Sequence, residues 1–130
     1  MLNPSAILTS SDLRRKVVPV PEWGGDILLQ ELSGAAREDL LIWARTQDQT
    51  KEPGLIRGFR ERLIIYSAID ENGEPLFSLA DATAMDALGR KNNDVLSRLS
   101  LAIQRLSGLL PEAVEEAVAD LPNAESASAG

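Results

Sequence analysis

Two short apolar runs on either side of a Pro-Glu-Trp-Gly-Gly-Asp break most constrain what this chain can fold into. Val17-Val18-Pro19-Val20 leads into Pro21-Glu22-Trp23-Gly24-Gly25-Asp26, Ile27-Leu28-Leu29-Gln30-Glu31-Leu32 follows, and Ser33-Gly34 opens a helical pattern. Apolar runs of this length bounded by Pro and Gly read as strands. Gly24-Gly25 supplies the positive φ that a tight hairpin turn needs. Pro19 and Pro21 lack an amide hydrogen, which restricts them to a sheet edge or to non-bonded positions. A two-stranded hairpin is marginal alone, so it must lie on helices or pair with another chain.

The rest of the chain reads as helices. Ser33 is a good N-cap for a helix to about Thr46 with Ala36, Leu40, Trp43 and Ala44 on one face. A central helix is expected from about Pro53 to Ser67, with Leu55, Ile56, Phe59, Leu63, Ile64 and Tyr66 as a wide apolar surface and Gly58 inside it. Asp70-Glu71-Asn72-Gly73 is a turn, flanked by Ile69 and Leu76-Phe77, which either pair as a very short hairpin or anchor the loop. Ser78 to Asp81 resembles a capping box, with Asp in place of Glu, for a helix from about Leu79 to Leu88, stopped by Gly89. Asn92 or Asn93 caps a helix from Asp94 to Ser107 in which Leu96, Leu99, Ile103, Leu106 and Leu110 recur at 3-4-3-4 spacing. That stripe faces either the core or a partner. Pro111 suits the first turn of a last, acidic helix to Leu121.

The expected fold is therefore mainly α: a small helical domain of four to five helices with an N-terminal β-hairpin. Residues 1–13 form an extended, flexible arm, residues 14–121 a single domain, and residues 122–130 a disordered tail rich in Ala, Ser, Asn and Gly. At 130 residues such a chain buries roughly 65–70% of the surface exposed on unfolding and needs no staples.

Composition removes most catalytic chemistry. The chain has no cysteine and no histidine, hence no disulfide, no thiolate metal site and no Ser-His-Asp or Cys-His constellation. The carboxylates around Asp70, Glu71 and Glu74 lack the spacing of a calcium loop, with Gly73 too early. Glu115 and Glu116 are adjacent and cannot face one site on a helix. Gly24-Gly25 lacks the spaced glycines and the Lys-Ser/Thr of a phosphate loop. No catalytic residue, metal or cofactor is expected, and no enzyme.

Charge points the same way. The net charge is −7, with Glu112, Glu115, Glu116, Asp120 and Glu125 and no base after Leu109, leaving residues 1–108 with 15 acids against 13 bases, a net of −2. This balance disfavours nucleic acid. No run approaches the ~20 apolar residues of a membrane span, and the N-terminus has no secretory pattern, so a cytosolic location is expected. Arg14-Arg15-Lys16 reads as a solvated strand start or as a basic patch for an acidic partner.

Binding is what remains. Trp23, beside Gly24 and Gly25, is either a contact residue of the kind common at binding hot spots or a cover folded back over the helices. Leu96, Leu99, Ile103 and Leu106 are the second candidate contact set.

The ordered set Val17-Val18-Pro19-Val20-Pro21-Glu22-Trp23-Gly24-Gly25, Leu32-Ser33-Gly34-Ala35, Asp70-Glu71-Asn72-Gly73-Glu74-Pro75-Leu76-Phe77, Leu88-Gly89 and Leu106-Ser107-Gly108-Leu109 resembles the tail assembly chaperones of long-tailed, siphovirus-type phages, over about residues 9–110. The resemblance implies a non-enzymatic protein of the host cytoplasm, made before tail polymerisation and absent from the mature virion. It implies binding to the long, helical tape-measure protein, which is kept soluble, and help in recruiting tail-tube subunits. It implies a longer, frameshifted form as well, whose junction the Ala-Ser-Gly tail would suit. Homo-oligomerisation along the tape measure is a further expectation, with the hairpin edge as contact. The alternatives are a small helical adaptor or anti-regulator holding one folded host protein, and a carboxylate-based hydrolase.

Overall fold

A computed structural model describes residues 1–47, 50–51 and 56–109. The expected acidic helix to Leu121, the tail from 122, and Pro53 to Leu55 lie outside the described residues. In chain order the elements are α1 (Pro4–Thr9), β1 (Arg15–Val20), a 3-10 turn (Pro21–Trp23), β2 (Gly25–Gln30), α2 (Gly34–Arg45), α3 (Phe59–Ser67), β3 (Ala68–Ile69), α4 (Ala82–Gly89) and α5 (Asn93–Leu106).

The sheet is larger than a hairpin. β1 and β2 pair antiparallel from Arg15 opposite Gln30 to Val20 opposite Gly25, and β3 adds on the other side of β2 through Leu28–Ile69 and Leu29–Ala68. The order β1-β2-β3 leaves β1 at an edge, where Pro19 is tolerated. The architecture is thus a mixed one, five helices with a three-stranded antiparallel sheet among the described residues, rather than mainly α. The third strand is only two residues long. Behind it, Asp70 Oδ1 accepts from Asn72 N at 2.8 Å and Glu74 N at 3.0 Å, and Gly73 takes φ +82, which folds Pro75 back to bridge Ile69. Ile69 thus pairs through a single bridge to Pro75 rather than with Leu76-Phe77; Leu76 N donates to Ala68 O at 3.0 Å, and Phe77 packs against the core.

Period-two alternation divides the sheet. Val18, Val20, Ile27, Leu29 and Ala68 are buried in the core, while Val17 and Pro19 are exposed on the other side. The helices close over the inner face. α3 is the central element, with Phe59, Leu63, Ile64 and Ile65 buried against α5, α4, α2 and β2. α2 contributes Leu40, with Ala36, Trp43 and Ala44 packed beside it. α5 buries Val95, Leu96, Leu99 and Ile103. The 3-4 stripe therefore faces the core.

Caps and polar staples set the boundaries. Ser33 Oγ accepts from Ala36 N at 3.1 Å. Asn92, not Asn93, caps α5 through Asp94 N and Val95 N. Asp81 itself caps α4, so the reciprocal box expected from Ser78 does not form there; Ser78 Oγ accepts from Ala80 N instead. Gly58 is not interior to α3. It stands at its start with φ +88, and the helix is correspondingly shorter than expected. Residues 4–9 are helical where an extended arm was expected, because Asn3 Oδ1 accepts from Ala6 N and Pro4 takes the first helical position. Ser67 Oγ donates to Gln30 O at 2.6 Å, and Leu32 N donates to Ser107 Oγ at 3.0 Å, stapling α3 and the end of α5 to β2 and its exit.

Candidate partner-binding surface

The hairpin tip is built by a four-residue connection, not by a two-residue Gly-Gly turn. Pro21 presets the φ of a 3-10 turn, Gly24 N donates to Pro21 O at 3.1 Å, and Gly24 alone takes the left-handed conformation, φ +81. Gly25 is already in β2. A Cβ at either glycine would meet nothing within 4 Å, so the surface around them is open. Trp23 sits there 36% exposed, a large indole held beside open backbone.

The tip is oriented from below. Arg98 on α5 donates to both carboxylate oxygens of Glu22, at 2.9 and 3.1 Å. This bidentate geometry fixes direction as well as distance. The hydrogen bonds from Arg98 hold the Glu22 carboxyl below the usual carboxylate range, and the same contact raises Arg98. Arg14 does the equivalent at the far end of the hairpin. Its guanidinium donates to Glu31 at 3.1 Å and to Leu106 O at 2.8 Å, while its amide donates to Glu31 Oε1 at 2.8 Å. Burial alone would raise Glu31, but the Arg14 hydrogen bonds outweigh it and the carboxyl is lowered. The start of the basic run is thus tied into the fold rather than presented as a patch, and Arg15 Nε donates to Gln30 Oε1.

The outer sheet face completes the surface. The register aligns Val17, Leu28 and Ile69 in one row, and Leu76 lies beside it. Val17 is 58% exposed and Leu76 47%, in a shallow depression of about 560 Å³ bordered by Asp26, Asp70 and Glu71. Reasoning from the sequence missed this row. The available signal was apolar residues at both parities of a strand, Val17 with Val18 and Leu28 with Ile27 and Leu29, which cannot all face one core.

The structure does not bring the two candidate contact sets together. Trp23, Gly24 and Gly25 form the exposed tip. Leu96, Leu99 and Ile103 are 0–1% exposed, and Leu106 is half-buried against the core. With their side chains enclosed, Leu96, Leu99 and Ile103 have nothing to offer a partner while the domain is folded. The second indole, Trp43, has an inward role, its ring 4.3 Å from the Arg62 guanidinium carbon. Nearby, burial first and then the Asp39 charge raise the Tyr66 hydroxyl. Among the described residues no three acidic, histidine or cysteine side chains gather as a metal site, and no helix is long and apolar enough to cross a membrane.

Against solved structures, the chain is similar to one titled "Structure of bacteriophage HK97 tail assembly chaperone", at 25% identity and a TM-score of 0.55, over 72% of this chain and 85% of that one. The chain resembles a phage tail assembly chaperone. No protein-family model matches it, and no curated protein does. The likeness agrees with the resemblance carried by the hairpin, the Asp70–Phe77 turn and the helix boundaries, and it comes from a chaperone rather than an enzyme.

Proposed function

We propose that this chain is a tail assembly chaperone that acts by binding, not by catalysis, in the cytoplasm of the host. Its partner is the tape-measure protein, a long chain with apolar helical stripes, which it keeps soluble while tail-tube subunits are recruited through a longer form of the chaperone. The observation that carries this reading is the likeness to the HK97 chaperone over 72% of the chain. The surface suits the task. An exposed indole at a braced hairpin tip and the exposed Val17 and Leu76 on the outer sheet face, above a buried Ile69, offer shallow, repeatable contacts for a helix. Many weak copies on one elongated chain gain from multivalency. The net charge of −7 keeps such a coat dispersed. Self-association through the free edge of β1 belongs to the same proposal.

Co-expression with the tape-measure protein of the same phage tests it. The expected result is a shift of the tape measure from the insoluble to the soluble fraction. A tape measure that stays insoluble with both the short chain and its longer form contradicts the proposal.

A further inference from the structure

The depression on the outer sheet face carries charge of one sign. Val17, Leu28, Ile69 and Leu76 are its apolar part, Asp26, Asp70 and Glu71 its charged part, and no base lines it. Asp26 and Glu71 are exposed, and neither forms an ion pair among the described residues. Asp70 commits one oxygen to the turn, where Oδ1 accepts from Asn72 N and Glu74 N. Arg15 shares the outer face with Val17, two residues along the strand. It is turned elsewhere: Nε donates to Gln30 Oε1 at 3.1 Å, and a Cβ on Gly73 would stand 2.8 Å from its Nη2. The depression therefore joins apolar surface to negative charge with no cation set against it.

Its width suits one helix. Val17 pairs with Leu28 and Leu28 with Ile69 across three neighbouring strands. Strands lie about 4.8 Å apart, so the row measures about 10 Å, close to the diameter of an α-helix with its side chains. The sign of the rim then decides which helix. One with acidic flanks meets three carboxylates, and one with basic flanks neutralises them. The chain's own sequence after Leu109 has the wrong sign for this place, with Glu112, Glu115, Glu116 and Asp120 and no base.

We propose that this depression selects, within the partner, helical segments whose apolar stripe is flanked by lysine or arginine. The stripe rests on Val17, Leu28 and Leu76, and the cations meet Asp26 and Glu71. The inference rests on the function proposed above and names the chemistry of the segment bound. Charges at such a rim set specificity and encounter more than raw affinity. The attraction is between exposed groups and weakens with salt.

Two stapled synthetic helices of about five turns, each with one leucine stripe, test this. One carries lysine beside the stripe and the other glutamate, and each is titrated against the full chain by fluorescence anisotropy. The lysine helix should bind about ten-fold more tightly at low salt and lose most of that preference in 1 M salt, where screening shortens to about 3 Å. Asp26→Asn with Glu71→Gln should weaken it several-fold at unchanged thermal unfolding, and so should Val17→Ser. Glu115→Gln with Glu116→Gln removes the same charge elsewhere and should leave affinity within about two-fold, as for independent sites. Equal loss in the two pairs reduces the effect to net charge and overturns the proposal. Equal affinity for both helices, or no loss in Asp26→Asn with Glu71→Gln, overturns it too. So do amide signals of Asp26 and Leu28 that shift with chain concentration alone, which would assign the depression to a second copy. Failure of the chaperone reading looks different. A tape measure kept soluble by the parent and equally by Asp26→Lys with Glu71→Lys leaves that reading in place and removes this inference. A tape measure that the parent leaves insoluble, while the preference for the lysine helix holds, removes the chaperone reading alone.

Discussion

At Trp23 the indole keeps 36% of its surface in water, and at Leu99 the side chain keeps none. The two residues should answer truncation in opposite ways. Leu99→Ala should cost about 2–5 kcal/mol of stability, the range for enclosed large-to-small changes. Trp23→Ala should cost under about 1 kcal/mol and instead weaken partner capture, since exposed aromatics at interface centres carry disproportionate binding energy. Denaturant unfolding alongside a pull-down with the tape measure separates the effects; a Trp23→Ala chain as destabilised as Leu99→Ala would move the indole into the core. Gly58 gives a sharper test of backbone. A Cβ there would meet Trp43 at 3.7 Å and Met85 at 3.8 Å, ordinary contact distances, so the penalty of Gly58→Ala comes from φ +88 and not from crowding. About 1–2 kcal/mol of destabilisation is expected by chemical unfolding.

The elements are held by a few polar ties whose charge states can be read by pH. Glu31 is ionised more readily in the folded chain than in the unfolded one, since Arg14 holds its carboxyl low. A depressed carboxyl contributes stability that is present above its unfolded value and lost as pH falls through its folded value. Glu31→Gln should therefore cost about 1 kcal/mol at neutral pH, a charge-assisted hydrogen bond discounted for the exposure of Arg14. The difference from the parent should shrink to nothing as the pH drops below the usual carboxylate range. Thermal unfolding across that range checks the sign; a penalty constant with pH would mean that Arg14 and Glu31 do not interact as a charge pair. At this scale much was legible beforehand. The Ser33 and Asn92 caps, the Asn-Gly turn and the α5 stripe follow from side-chain chemistry that acts within four residues. Two residues such as Ala68–Ile69 carry no period, so β3 was hidden until its partner β2 was in place. The apolar period runs through Gly58 without a break, so the period alone does not mark the left-handed φ of +88 with which Gly58 starts α3. The helix at Pro4–Thr9 does carry a local signal, Asn3 as its cap and Pro4 at its first position, within a stretch whose Ser and Thr content favours extended chain.

Over the whole molecule, periodicity told which side chains share a face but not what that face meets. Leu96, Leu99 and Ile103 were equally suited to a core and to a partner, and only the packing of α5 on α3 decides for the core. The surface proposed for binding is instead the tip and the outer face of the sheet. Its Val17–Leu28–Ile69 row spans three strands and exists only once their register is set. The central claim, a chaperone that coats an elongated partner in many copies, is a claim about stoichiometry. The native mass of the soluble complex formed on co-expression with the tape-measure protein tests it most directly. Several copies per tape measure, increasing with the length of that chain, is the predicted result; a single copy per partner whatever its length would contradict it and mark the chain as an adaptor for one folded protein.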